Sequence, residues 1–188
     1  MKRWSLILVL LLSGLAAAHA QNAKSAQSRQ NPYEGYSLVI HKGTFTISLV
    51  DAQQDTLYTF PVATGEMPGQ KTRSGDCKTP QGTFKVTWVQ NTRGVMYDYH
   101  DGKGLVEAYG PYFIHLETPG FKAIGVHGTC PERDDRIGTR DSKGCIRLHN
   151  RDLLTILPYV HPGMDVKIVP GFRDIWYDFN LRLNESKN

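Results

Sequence analysis

The most chemically suggestive pair in this chain is an imidazole and a thiol eighteen positions apart. His127 opens the run His-Gly-Thr-Cys, and Cys145 closes Ser142-Lys143-Gly144-Cys145. Thiolate is the attacking form of cysteine, and a nearby imidazole can take the thiol proton, hold an ion pair at neutral pH and later protonate a leaving amine. Such a pair suits acyl transfer. Gly128 and Gly144 strengthen the reading, because each leaves backbone amides and carbonyls open beside a reactive side chain, where an oriented imidazole and an oxyanion need them. Metal binding is the competing chemistry, since His127-x-x-Cys130 has close ligand spacing that Cys145 or His115 could complete. A second closely spaced ligand pair is missing, so no metal is expected.

These side chains need rigid elements to hold them. Short β-branched and aromatic runs at 37–41, 44–50, 56–62, 83–89, 112–116 and 123–127, separated by glycine, proline and Asp/Gln clusters, predict an antiparallel, mainly β domain. Lys42-Gly43 reads as a tight hairpin turn. After the cysteine, Asn150 can cap a helix whose apolar face is Leu153, Leu154 and Leu157 and which Pro158 ends. A last strand is expected over 165–169. In the tail, Phe172, Ile175, Trp176 and Phe179 fall at helical spacing and predict a helix docked on the core by that face.

Ile124-Gly125-Val126-His127-Gly128-Thr129, Gly138 and Ser142-Lys143-Gly144-Cys145-Ile146-Arg147-Leu148 together resemble the signature of the L,D-transpeptidase (YkuD-like) catalytic domain, a family of bacterial cell-wall cysteine enzymes. Val62-Ala63-Thr64-Gly65 and Thr79-Pro80-Gln81-Gly82-Thr83-Phe84 extend the likeness to roughly residues 35–170. Two departures stand out: many members have histidine in place of Lys143, and Cys130 is not a family requirement. The resemblance implies an L,D-transpeptidase-like β-sandwich with a short helix after the cysteine. It also implies Cys145 as nucleophile, His127 as base, and the Gly128 backbone carbonyl as the group that fixes the imidazole tautomer. The N–H groups of Lys143, Gly144 and Cys145 would form the oxyanion hole. His115 would lie on the strand lining the cleft. The implied reaction is formation of 3→3 cross-links between peptidoglycan stem peptides through a Cys145 thioester, without a cofactor. An L,D-carboxypeptidase, or a hydrolase that detaches a wall-linked protein, would use the same site with water as acceptor. A non-catalytic peptidoglycan-binding module and a redox protein are less well supported, since both reactive side chains are present and no Cys-x-x-Cys occurs.

Three further residues have two readings each. Arg147 could hold a substrate carboxylate through its planar fork of donors, or pair with Asp134, Asp135 or Asp141. Ser142 is a turn residue whose hydroxyl could also contact substrate. His115 could line the cleft or sit satisfied in the core.

Composition bounds the remainder. Lys2 and Arg3, the apolar run 6–12 and Ala18-His19-Ala20 describe a signal peptide over 1–20, so the protein is expected to be exported to the periplasm or cell surface of a bacterium. Residues 21–34 are polar and read as a flexible linker, 35–170 as the catalytic domain, and 171–188 as the tail. The formal charge of +4 falls to +2 without the two basic residues of the leader. A nearly neutral surface without basic blocks excludes a nucleic-acid partner. Three cysteines are an odd number in an exported protein, so with Cys145 as nucleophile the available disulfide is Cys77 to Cys130.

Overall fold

The computed structural model describes residues 31–100, 102 and 104–186; the signal peptide expected at 1–20 and most of the linker expected at 21–34 lie outside the described residues. The chain divides into two units, Met1–Glu34 and Gly35–Asn188, and the second carries the fold. Its strands, in chain order, are β1 (Ser37–His41), β2 (Thr46–Val50), β3 (Thr56–Pro61), β4 (Thr64–Gly65), β5 (Gly82–Asn91) and β6 (Tyr97–Asp98). They continue as β7 (Leu105–Val106), β8 (Tyr112–Leu116), β9 (Gly125–His127), β10 (Arg140–Ser142), β11 (Ile146–Arg147) and β12 (Asp165–Val169). Two α-helices follow the cysteine, α1 (Asn150–Ile156) and α2 (Phe172–Glu185). Among the described residues no helix is long and apolar enough to cross a membrane.

Eight strands form one curled sheet in the order β11-β9-β8-β5-β12-β1-β2-β3. The pairing is mixed rather than antiparallel: β1 with β12, β11 with β9, and β10 with β4 run parallel. The chain returns to the sheet through long connections that the turn residues alone do not reveal. Alternation along the central strands still decides the core. Leu38 and Ile40 of β1, Ile47 and Leu49 of β2, and Val166 and Ile168 of β12 point inward and are buried. Each such side chain contributes about 1.5–3 kcal/mol by leaving water. Helix α1 adds Leu153 and Ile156 to the same core, while Leu154, expected on the apolar face, lies on the solvent side.

Asn150 does not cap its helix. His149 occupies the N-cap position without a side-chain bond to the helix backbone, and the Asn150 amide turns away to the Thr129 backbone.

Helix α2 corrects another expectation. Its aromatic stripe faces outward, with Phe172 79% and Trp176 57% exposed, and the helix docks through its polar face instead. Gly171 packs so closely on Gly43 that a Cβ at either would fall within 3 Å of the other's Cα. This approach brings Asp174 beneath the β1–β2 turn. The Asp174 carboxylate, fully buried, accepts the Gly69 N–H at 2.8 Å and the Gly171 N–H at 2.9 Å, pairs with Lys42 Nζ at 3.0 Å and receives Arg140 Nη2 at 3.2 Å. Lys42, also fully buried, donates to the Gly69 and Thr79 carbonyls at 2.7 and 2.9 Å. Burial alone would raise the Asp174 pKa, but these donors hold it below the usual carboxylate range. Conversely, burial pulls the Lys42 ammonium down, against the pull of Asp174.

Removing one partner of such a cluster leaves a buried charge uncompensated. Asp174→Ala is therefore expected to cost about 3–5 kcal/mol of stability, measured by urea unfolding. A loss below about 1 kcal/mol would show that the tail contributes nothing to the domain through this cluster.

Candidate active site

Four segments converge on the residues singled out by their chemistry. Strand β9 ends at His127, and β11 begins immediately after Cys145. The two strands pair in parallel with Arg147 opposite His127 and Ile146 opposite Val126. Because side chains alternate, Cys145, Arg147 and His127 share one face of the sheet. Strand spacing of about 4.8 Å and a two-residue step of about 6.6 Å put Cys145 on the diagonal from His127, roughly 8 Å between Cα atoms. Both line a cleft of about 500 Å³, which His115, Ser142, Lys143 and Arg147 also line.

The loop before Cys145 is built by close backbone approaches. Gly144 has φ of 130°, and a Cβ there would meet the Lys78 carbonyl at 2.8 Å; at Gly65 it would meet the Cys77 carbonyl at 2.4 Å. Strand β4 pairs with β10, the Glu66 N–H donates to the Ser142 carbonyl at 2.9 Å, and Thr79 Oγ1 accepts the Gly65 N–H at 2.8 Å. The Val-Ala-Thr-Gly and Thr-Pro-Gln-Gly segments thus brace this loop. Ser142 supplies its turn: Oγ donates to the Cys145 carbonyl at 2.6 Å and accepts the Gly144 N–H at 3.1 Å. That second bond engages one of the three amides expected to face an oxyanion.

His127 is buried and clamped by rings. Phe113, its cross-strand partner, stacks at 5.2 Å, and Tyr109 meets it edge-on at 5.2 Å. Nδ1 lies 2.7 Å from the Gly128 carbonyl, which can only accept, so Nδ1 carries the proton and Nε2 is left unprotonated. Burial lowers its pKa to about 3, with the Gly128 bond opposing and the Arg147 charge adding to the shift.

The Cys145 thiol donates to the Ala123 carbonyl at 3.3 Å. Burial pushes it up to about 11, and the Gly125 N–H together with the Lys71 and Arg147 charges pulls less strongly the other way. The resting thiol and imidazole are accordingly both neutral, not the ion pair expected from residue types. Alkylation of Cys145 by iodoacetamide, followed by peptide mapping, should therefore climb only above the ordinary thiol value of 9.0 and toward 11. A rate already at its plateau near pH 7 would contradict this assignment.

Arg147 is 1% exposed and forms the ion pair with Asp141 that was one of its two readings. Arg133 Nη1 shares the same carboxylate oxygen at 3.3 Å, and Arg133 Cζ lies over the Tyr99 ring, 3.9 Å from its centroid. One carboxylate oxygen thus serves both guanidiniums. His115 lies on the cleft wall: Nε2 is 3.0 Å from Gln90 Oε1, and the ring stacks on Trp88 at 4.2 Å and meets Phe113 at a tilt, 4.4 Å away. Lys143 is exposed at the rim.

Cys77, Cys130 and Cys145 are all free thiols, so the Cys77–Cys130 bridge is not formed. Separate segments anchor the two. Cys77 sits in a tight turn with φ of 54°, its thiol directed at the Gly75 carbonyl and its carbonyl held by the Met67 N–H at 3.0 Å. Cys130 is buried at the start of the 3₁₀ turn Pro131–Arg136, beside Tyr99 and Glu132.

Sequence reasoning named Asp141 among the possible partners of Arg147 but missed that Arg133 shares the same carboxylate, because that contact depends on how the loop folds back. It also missed the Ala123 carbonyl and the Asn150 amide, whose roles depend on main-chain geometry.

The family model for the L,D-transpeptidase catalytic domain (YkuD) matches residues 35–168. YkuD of Bacillus licheniformis, a relative named for that family, is 31% identical over 112 residues, covering 60% of this chain and 53% of its own length. YkuD of Bacillus subtilis is 28% identical over 133 residues, covering 71% and 65%. The chain thus spans between about half and just under two thirds of these relatives. Among solved structures, L,D-transpeptidase 3 from Mycobacterium tuberculosis in complex with a faropenem-derived adduct has the same fold, with a TM-score of 0.53 at 17% identity over 71% of this chain and 60% of that one. With the family model covering most of the chain and the curled sheet shared with solved members, this protein belongs to the L,D-transpeptidase catalytic-domain family.

Proposed function

We propose that this protein is an exported peptidoglycan L,D-transpeptidase that forms 3→3 cross-links through a thioester on Cys145. One observation carries the reading: Cys145 and His127 share a face of the parallel β9–β11 pair within one cleft, and the imidazole is held as the tautomer whose Nε2 can accept a proton. The cleft lining has five basic side chains against two acidic ones, which suits a stem peptide rich in carboxylates.

In the proposed reaction the thiol swings from the Ala123 carbonyl and gives its proton to His127 Nε2 as sulfur attacks the carbonyl of the third stem residue, a diamino acid. The N–H groups of Lys143 and Cys145 stabilise the oxyanion, the Gly144 N–H being engaged by Ser142. Collapse breaks the amide bond, and the imidazolium returns the proton to the departing D-amino acid. The side-chain amine of a second stem then opens the thioester, losing its proton through His127 and restoring the thiol. Arg147 and Arg133, sharing Asp141, supply positive potential for a substrate carboxylate.

Mass spectrometry of muropeptides after incubation of purified protein with tetrapeptide-containing sacculi tests this function. Dimers joined by 3→3 links are expected. Tripeptide monomers alone, or release of a wall-linked protein alone, would replace transpeptidation by hydrolysis at the same site.

A further inference from the structure

The geometry points to Asn150 as a positioning residue that holds His127 in its working tautomer by gripping the far end of the peptide unit that orients it. The inference rests on the reading of His127 as the base.

The Gly128 carbonyl and the Thr129 N–H belong to one trans peptide unit, so they point in opposite directions. On one side the carbonyl accepts from His127 Nδ1 at 2.7 Å. On the other side the Thr129 N–H donates to Asn150 Oδ1 at 2.9 Å. The same amide closes a ring by donating from Nδ2 to the Thr129 carbonyl at 3.0 Å. An acceptor on the N–H polarises the unit and makes its carbonyl a stronger acceptor for the imidazole proton.

Glycine makes this grip necessary. The His127 bond closes onto the very next residue, and Gly128, lacking a Cβ, has a wide choice of torsions that would each re-aim its carbonyl. The backbone is pinned before and after that carbonyl, by the Gly128 N–H on the Tyr109 carbonyl at 2.9 Å and by Asn150 on Thr129. Space for the amide is made by two glycines: a Cβ on Gly110 or on Gly128 would meet Asn150 Oδ1 at 2.2 Å. Helix α1 supplies the stiffness, since Asn150 begins it and Leu153 and Ile156 seat it in the core. Only a short side chain with one acceptor and one donor fits both Thr129 groups at once. Aspartate keeps the acceptor and sets a carboxylate against the Thr129 carbonyl, whereas alanine and leucine lose both bonds.

The test reads the His127 tautomer directly, from two-bond ¹H–¹⁵N spectra of imidazole-labelled protein, beside the rate of acylation by a penem and its apparent binding constant. The parent protein should show a single Nδ1–H tautomer. Asn150→Ala should show a mixture, with acylation slowed about 10- to 100-fold and the binding constant changed less than about threefold, by analogy with the loss of an outer partner that orients a metal-ligating imidazole. Asn150→Leu, which conserves side-chain volume, should do the same and serves where the alanine variant fails to fold. Asn150→Asp should recover the Nδ1–H signal and part of the rate. A folded alanine or leucine variant with parent-like His127 signals overturns the proposal whatever its activity. Failure of the thioester reading would look different: adducts on another residue, with the tautomer result still legible.

Discussion

Cys145→Ala is expected to abolish acyl-enzyme formation and turnover of stem peptides together, with the fold retained. The substitution removes one sulfur atom from a half-buried position at the mouth of β11, where the neighbouring contacts are backbone atoms of Ala123 and Gly125 rather than a packed core. Stability should therefore change little. Chemistry should disappear, because the remaining thiols stand elsewhere: Cys77 in its turn on Gly75 and Cys130 beside Glu132. Residual turnover above about one part in 10³ would require another nucleophile in the cleft, on the scale that loss of a covalent catalyst sets.

The second large effect is expected of His127→Gln. Glutamine can occupy the slot between Phe113 and Tyr109 but cannot shuttle a proton between sulfur and a leaving amine. Loss of general-base assistance costs about 10²–10⁴-fold in acylation rate, with binding largely preserved. A companion effect follows from burial. The folded imidazole has its pKa lowered to about 3 from 6.5, so the unfolded chain takes up a proton first as pH falls. His127 thus removes stability progressively below about pH 6.5, and the variant should lose that part of the acid slope. Near-normal acylation in the variant would assign the base to another residue, with His115 on the cleft wall the first candidate.

Local signals made some of this architecture legible and left the rest hidden. Strands at 37–41, 112–116 and 165–169 match the alternation of residues such as Leu38, Ile40, Ile114 and Val166, because period-two burial is written in the chain itself. The parallel pairings are not written there, since register between distant strands comes from long connections. His127 and Cys145 stand out by type, and their glycines by chemistry. Arg147 and Asp141 are separated by only five residues, yet their pairing depends on β10 and β11 turning the loop back toward the cleft. Asn150 has the composition of a helix cap, and it lies against Thr129 because Gly110 and Gly128 make room there. The tail misled for the opposite reason. Its aromatic spacing marks a helix face correctly, but the Lys42–Asp174–Arg140 cluster is energetically more demanding to leave unpaired and decides which face turns inward.

Trapping the acyl-enzyme tests whether Cys145 is the nucleophile. The purified protein is mixed with a tetrapeptide stem donor in the absence of an acceptor amine, quenched in acid, and analysed by intact mass followed by peptide mapping. One acyl group is expected, formed with loss of the terminal D-amino acid and located on Cys145 alone; an adduct on Cys77 or Cys130, or turnover through a site other than Cys145, would rule out Cys145 as the nucleophile.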